Sequence, residues 1–303
     1  MNVFQKELGK KRVLLLDGPM GTELERRGVP TPLPAWSAKA IETHPYIIYD
    51  IHKDYLSCGV DILTTNTFRT NRRAMKNAGM EEKARSLTTH AVEIAKDAIA
   101  KYSNNDVMIA GSVAPVEDCY SPELVSDEET LFDEHSEFIS WLAEDGVDAI
   151  LIETMNTLKE ARVALNAAKK VCTLPVLVSL VCGKNGRLLS RESLFDAVKE
   201  LSALSPDALL LNCASPYETT EAMNVLSQTA ATPFGAYANS SAPDEVTGWK
   251  DAHTVTIDEY CAEVRSWLAN GASIVGGCCG TTPEYIRTMR KIVDENIRSL
   301  AQR

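Results

Sequence analysis

The stretch GASIVGGCCGTTP, residues 271 to 283, contains the pattern that decides the fold of this chain. It opens on Gly271, and glycine commonly ends a helix in the left-handed conformation. The apolar run ASIVGGC follows, and a threonine with Pro283 then supplies residue types that begin a helix. The stretch therefore predicts the end of one helix, a buried strand and the start of another helix.

Seven further segments have the same nearly continuous apolar character, which is typical of parallel strands buried on both faces. They are VLLLD (13–17), DILTTN (61–66), VMIAGS (107–112), DAILIE (148–153), PVLVSLV (175–181), DALLLNC (207–213) and PFGAYAN (233–239). Glycine again precedes two of them, at Gly59 and Gly146. The region between 84 and 98 has the 3.6-residue apolar period of a helix.

Eight strands that alternate with helices predict an α/β fold, the (β/α)8 TIM-type barrel. We expect a single domain over residues 1–303, because no linker or low-complexity stretch divides the chain. An open, doubly wound parallel sheet is the alternative, since it shows the same alternation of strands and helices.

Charge and hydropathy exclude several classes of partner. The chain has 31 Lys and Arg against 42 Asp and Glu, a formal net charge of −11, which disfavours nucleic acid. No apolar stretch approaches the roughly 18 residues that span a bilayer, and the N-terminal residues do not form an export signal. We expect a soluble, cytoplasmic protein with no membrane partner. Eight cysteines are too few for a disulfide scaffold at this length.

Polar residues occupy the C-terminal ends of the predicted strands. They are Asp17, Asn66, Ser112, Glu153, Cys213, Asn239 and Cys278. In a barrel these ends meet at one mouth, where active sites of this fold lie. Strand ends are also polar simply because they meet water, and this alternative stays open for Ser112 and Asn239 individually.

Three of the eight cysteines fall at these strand ends: Cys213 after the sixth strand, and Cys278 and Cys279 after the eighth. Three thiolates around Zn²⁺ leave one coordination position open, as in catalytic zinc sites. Gly276, Gly277 and Gly280 are expected to allow the positive φ values that turn adjacent sulfurs the same way. Packing in the core is the alternative, since cysteine is often buried. We assign that role to the other five: Cys58, Cys119, Cys172, Cys182 and Cys261.

Five blocks of sequence, in order along the chain, resemble the homocysteine S-methyltransferase family. They are LLLDGPMGTELERRG (14–28), DILTTNTFRTN (61–71), ILIETM (150–155), NCASP (212–216) and GGCCGTTPEYI (276–286). The resemblance implies a (β/α)8 barrel and a catalytic zinc bound by the cysteine of the NC block and the CC pair, here Cys213, Cys278 and Cys279. It also implies transfer of a methyl group to the thiol of homocysteine, which gives methionine.

Homocysteine needs partners for its ammonium and carboxylate groups. Asp17 and Glu153 are the candidates for the ammonium, and the resemblance points to the same two positions. A helix cap is the alternative for Asp17 and a surface charge the alternative for Glu153. For the carboxylate we expect the backbone N–H groups of Gly18, Met20, Gly21 and Thr22, where the first strand turns into a helix.

The rest of the mouth is assigned to Asn66, Phe68 and Asn239. Arg69 has two interpretations: it binds a carboxylate on the methyl donor, or it is a solvated surface arginine.

A zinc site with three cysteinates is negatively charged, so it attracts a cationic methyl donor whose charge disappears on transfer. This favours S-methylmethionine or S-adenosylmethionine. The alternative methyl sources are betaine, methyl-folate and a corrinoid protein partner. The alternative acceptors are selenohomocysteine and selenocysteine. A zinc-storing or thiol-redox barrel is the alternative that is not an enzyme.

Overall fold

All eight predicted strands form one parallel sheet. The structure, a computed structural model, describes residues 3–9, 13–103, 106–183, 185–241 and 255–301. The strands are β1 (Leu14–Leu15), β2 (Ile62–Thr64), β3 (Met108–Val113), β4 (Ala149–Met155), β5 (Val176–Leu180), β6 (Ala208–Asn212), β7 (Phe234–Ala238) and β8 (Ile274–Gly277).

The sheet curves so that its two edges meet. Hydrogen-bonded neighbours follow the order β1–β8–β7–β6–β5–β4–β3–β2. A parallel bridge between Leu16 and Ile62 joins the first strand to the second, and the Asp61 N–H donates to the Leu15 carbonyl oxygen at 2.8 Å. The predicted (β/α)8 barrel is therefore confirmed, and the open doubly wound sheet is wrong.

Helices surround the barrel. They are α1 (Val3–Gly9), α2 (Gly21–Arg26), α3 (Ala38–Thr43), α4 (Pro45–Ser57), α5 (Arg72–Asn77), α6 (Ala84–Tyr102), α7 (Glu128–Glu144), α8 (Leu158–Val171), α9 (Leu194–Ala203), α10 (Pro216–Thr229), α11 (Ile257–Ala269) and α12 (Pro283–Ala301). Among the described residues, none of these helices is both long enough and apolar enough to cross a membrane.

The strands are buried on both faces, which explains their continuous apolar sequences. In β1 and the residue that follows it, Leu14 and Leu16 belong to the cluster inside the barrel, whereas Leu15 belongs to the larger cluster between strands and helices. The inner cluster also contains Phe4 from α1. Neither α1 nor the small antiparallel hairpin that follows β5, Cys182–Gly183 with Arg187–Leu188, was predicted from the sequence.

Glycines end three helices just before a strand. Gly59, Gly146 and Gly271 have φ values of 81°, 74° and 97°, in the left-handed region that favours glycine. They precede β2, β4 and β8 respectively, as predicted. These turns fix where each strand enters the barrel, and so place the opposite strand ends at a common mouth.

Candidate metal and substrate site

Three cysteine sulfurs meet at the mouth of the barrel. The Sγ atoms of Cys213, Cys278 and Cys279 all lie within 4.8 Å of one another, and those of Cys213 and Cys278 are 3.0 Å apart. Cys213 directly follows β6 and the adjacent pair directly follows β8. Three soft sulfur ligands in this arrangement fit a borderline-soft metal ion such as Zn²⁺, with room for a further ligand.

The backbone around the paired cysteines is closely constrained. Gly280 has φ of 82°, and a Cβ atom there would lie 2.1 Å from Ser241 Oγ. The positive φ expected at Gly276 and Gly277 is not found, because both belong to β8. Glycine is needed there for close packing: a Cβ at 277 would lie 2.2 Å from Thr281 Oγ1.

The three thiols are partly buried, in surroundings that disfavour negative charge. The hydrogen bond with Cys278, together with burial, raises the pKa of Cys213 well above its ordinary value. The hydrogen bond with Cys213, together with burial, raises the pKa of Cys279 in the same direction. Neighbouring thiolates repel each other, so this cluster loses its protons only when a cation compensates the charge. The residues present therefore fit a metal ion.

Asp17 is a buried acid beside the cluster. It is 3% exposed, and its carboxylate accepts hydrogen bonds from Thr64 Oγ1 at 2.7 Å and from the Thr64 N–H at 2.9 Å. Burial raises its pKa from 3.8 to about 8 against the effect of these bonds, and the charge of Glu153 adds to the rise. Its side chain does not cap a helix, so that alternative is wrong.

Glu153 is the second buried acid, and the alternative of a surface charge is wrong, since it is 8% exposed. The Ser112 hydroxyl donates to its Oε1, and the Tyr237 hydroxyl donates to its Oε2 at 3.0 Å. Burial raises its pKa, although both hydrogen bonds act in the opposite direction. Two acids thus lie close enough to interact within one pocket.

One cavity, partly open to solvent, connects these groups. It brings together the three cysteines and seven residues predicted for substrate binding: Asp17, Gly18, Met20, Gly21, Asn66, Phe68 and Glu153. Two predicted residues are not among its lining. The Thr22 hydroxyl accepts a hydrogen bond from the Gly280 N–H at 3.1 Å, and the Asn239 N–H donates to the Ala214 carbonyl oxygen at 2.8 Å.

Several lining residues were not predicted, notably the aromatic side chains of Trp36, Tyr120 and Tyr237; Cys119, which was assigned to core packing, also lines the cavity. Tyr237 could have been identified, because it lies on β7 and belongs to the cluster inside the barrel. Trp36 and Tyr120 lie in loops, where no periodic pattern marks them. Among the described residues, no lysine, arginine or histidine lines the cavity, so its ionisable groups are acids and thiols together with tyrosines.

Arg69 lies outside this lining. It is 5% exposed, so the interpretation as a solvated arginine is wrong. Its Nη1 donates to the Glu117 carbonyl oxygen at 2.8 Å, its Nη2 lies 3.6 Å from a carboxylate oxygen of Asp118, and its guanidinium stacks over the Phe68 ring. Arg69 therefore anchors the loop after β3, which carries Tyr120.

Asn66 holds a second loop. Its Oδ1 accepts a hydrogen bond from Ser37 Oγ at 2.6 Å, and its Nδ2 donates to the Ser37 carbonyl oxygen at 3.1 Å. The preceding Trp36 has φ of 46°, a costly conformation for a bulky residue. Asn66 thus lines the cavity and also fixes the loop that presents Trp36.

Comparison with known proteins identifies the family. A sequence model described as homocysteine S-methyltransferase matches residues 14–293. The selenocysteine methyltransferase of Astragalus bisulcatus is 28% identical over 93% of each chain, and homocysteine S-methyltransferase 2 of Zea mays is 27% identical over 93% of this chain and 90% of its own.

A solved structure points to the same family as these relatives. The metallated form of the homocysteine methyltransferase MmuM from Escherichia coli superimposes with a TM-score of 0.82, at 26% identity, over 95% of this chain and 99% of that one. The resemblance found in the sequence blocks is confirmed by the match over most of the chain. The chain belongs to the homocysteine S-methyltransferase family.

Proposed function

We propose that this methyltransferase uses Zn²⁺, held by Cys213, Cys278 and Cys279, to move a methyl group from a cationic sulfonium donor to the thiol of homocysteine. The observation that carries the proposal is a cavity that places three convergent sulfurs beside two buried acids, with no basic side chain among the lining residues that the structure describes. S-methylmethionine and S-adenosylmethionine are the favoured donors, and methionine is the methylated product.

The sulfur cluster supports the metal part of the proposal. When bound, zinc would keep the acceptor thiol deprotonated and therefore nucleophilic. Cys213 comes from one side of the mouth and the adjacent pair from another, so the three side chains can approach an ion from different directions. The solved MmuM structure is of a metallated form, which agrees with a metal at this site.

The two acids suit the ammonium group of homocysteine. Asp17 and Glu153 interact across the cavity, and a cation between them removes the repulsion that disfavours two ionised carboxylates. For the acceptor carboxylate we propose the backbone N–H groups of Gly18, Met20 and Gly21 at the turn into α2, without that of Thr22, which does not line the cavity. The turn also contains Pro19, which has no N–H to contribute.

The cavity walls suit a cationic donor. Trp36, Phe68 and Tyr120 present aromatic rings, which attract cations over their faces. In the transfer, the bond between the methyl carbon and the donor sulfur breaks, and its electron pair stays on that sulfur as a neutral thioether. The acceptor thiolate forms the new carbon–sulfur bond. The positive charge of the sulfonium and the negative charge of the thiolate both disappear, and a poorly hydrated cavity favours this loss of charge.

The acidic lining weighs against a folate donor, because the glutamate of methyl-folate is anionic and would find no basic partner among the described residues of the lining. A selenol acceptor is a second candidate. One relative carries the name selenocysteine methyltransferase, and a selenolate offers the same attacking geometry as a thiolate.

The test is a panel of donors and acceptors on zinc-loaded protein. S-methylmethionine, S-adenosylmethionine, betaine and methyl-folate are each supplied with homocysteine, and methionine is quantified by mass spectrometry; selenocysteine is then tested with the best donor. We expect one sulfonium compound to exceed betaine and methyl-folate by at least about tenfold in kcat/KM. Turnover with methyl-folate or methyl-cobalamin alone would overturn the proposal.

A further inference from the structure

We infer that Asn212 is a positioning residue that orients the Cys213 sulfur toward the metal and shields its charge by donating an N–H···S hydrogen bond. The side chain of Asn212 is fully buried at the end of β6. Its Nδ2 lies 3.5 Å from Cys213 Sγ. Within the NC block, a role was predicted only for the cysteine and none for the asparagine.

The Asn212 amide is held rigidly in this orientation. Its Oδ1 accepts from Ser179 Oγ at 2.7 Å and from the Thr154 N–H at 3.1 Å. Its Nδ2 donates to Thr154 Oγ1 at 2.8 Å in addition to the sulfur. With the oxygen fixed by two donors, the amide cannot flip without losing both bonds, so an N–H must face Cys213.

The backbone on both sides of this amide is strained. Cys213 has φ of 55° and Thr154 has φ of 64°, and left-handed conformations of such residues persist only when their surroundings hold them. Asn212 contacts both residues. Thr154 directly follows Glu153, so the same amide links the strand end that carries the acid to the strand end that carries the sulfur.

A sulfur that carries negative charge accepts hydrogen bonds more strongly than a neutral thiol. An N–H from Asn212 therefore lowers the electron density on Cys213 and favours one direction of its side chain. Groups that orient metal ligands in this way commonly change metal affinity 10–100-fold when they are removed. The inference rests on the proposed metal role of Cys213, but it can be measured without any methyl transfer.

The experiment measures binding of Zn²⁺ by chelator competition and the absorption spectrum of the Co²⁺-substituted protein. Asn212→Asp keeps the acceptor oxygen for Ser179 but loses the donor to the sulfur, and Asn212→Ala removes the whole amide. We expect both to weaken Zn²⁺ binding by about 10–100-fold and to shift the sulfur-to-cobalt charge-transfer band. Ser179→Ala is the matched control. It removes one hydrogen bond to the Asn212 amide and leaves the amide N–H on the sulfur, so the Zn²⁺ affinity of this variant should stay within about threefold of wild type.

Thr154→Val provides a second route if either Asn212 variant fails to fold. It frees the Nδ2 donor from its other acceptor while keeping the side-chain shape, and it also removes a hydroxyl that lies 3.7 Å from Cys213 Sγ. The variant should shift the cobalt band without abolishing binding, and an unchanged band would overturn the inference. Folded Asn212 variants with wild-type affinity and an unchanged cobalt band would overturn the inference. Absence of metal binding by the wild-type protein would instead overturn the proposed function, so the two failures are distinguishable.

Discussion

At the scale of single residues, Asp17 is the side chain whose environment departs furthest from that of an ordinary carboxylic acid. Its pKa is raised from 3.8 to about 8, mainly because it is buried. An acid whose pKa rises on folding stabilises the native state at low pH, and this contribution is lost as the pH rises through the folded value. For Asp17 the loss extends from about pH 4 to about pH 8.

Replacement of Asp17 by asparagine should remove this pH dependence. Without substrates, Asp17→Asn should stabilise the protein relative to wild type more at pH 8 than at pH 5, because only the wild-type protein has an acid at position 17 that must ionise while buried at the higher pH. Thermal melting of both proteins at the two pH values measures this. A difference in Tm that is the same at pH 5 and pH 8 would show that Asp17 is not buried as described.

The sequence predicted those site residues that lie at the ends of strands. Asp17, Glu153 and Cys213 were identifiable because a polar residue after an apolar run marks the end of a buried strand. Trp36 was not identifiable, since its place depends on the conformation of a loop. The buried position of Arg69 was also missed, because it depends on contacts with a loop nearly 50 residues further along the chain.

At the scale of elements, the turn between β1 and α2 and the loop that carries Trp36 form one wall of the cavity. A Cβ atom at Gly21 would lie 1.8 Å from Nε1 of Trp36, closer than any side chain can approach. Trp36 is held in place, because the following Ser37 donates one hydrogen bond to the Asn66 side chain and accepts another from it.

Gly21→Ala should therefore displace the tryptophan and disturb the site. We expect a loss of about 1–3 kcal/mol in the free energy of unfolding from overpacking, and at least about a tenfold loss in kcat/KM from the shifted wall. Gly183→Ala is the control, since its nearest neighbour would be 3.7 Å away in ordinary contact. Denaturant unfolding and steady-state kinetics on both variants test this, and wild-type behaviour of Gly21→Ala would refute the packing described.

Long helices, and strands that are apolar on both faces, could be predicted from the sequence. The positions Ala84, Leu87, Ala91, Ile94 and Ala98 are all buried along α6, as the helical period predicted. The two strands of the hairpin after β5 have only two residues each, too few for any period to show. Helix α1 has seven residues and gave a similarly weak signal.

At the scale of the whole molecule, barrel closure assembles the site from distant parts of the chain. Cys213 and Cys278 are 65 residues apart in sequence, and Glu153 and Tyr237 are 84 apart. Strand order alone brings their ends to one mouth. The sequence could predict this convergence because the barrel rule is general, but it could not predict which side chains lie within bonding distance.

We propose that three sulfurs from two strand ends share one catalytic metal. Metal content by mass spectrometry, with methionine formation on the same samples, tests it in wild type, Cys213→Ser, Cys278→Ser, Cys279→Ser and the control Cys172→Ser. Cys172 is partly buried away from the cavity, and its sulfur donates to a backbone carbonyl that serine can also reach. Cys172→Ser should therefore match wild type in zinc content and in methionine formation.

We predict roughly one zinc per chain in wild type and in the control. Each of the other three variants should hold little zinc and lose at least about 100-fold in turnover. Any one of those three that keeps both its zinc and its activity would contradict the account.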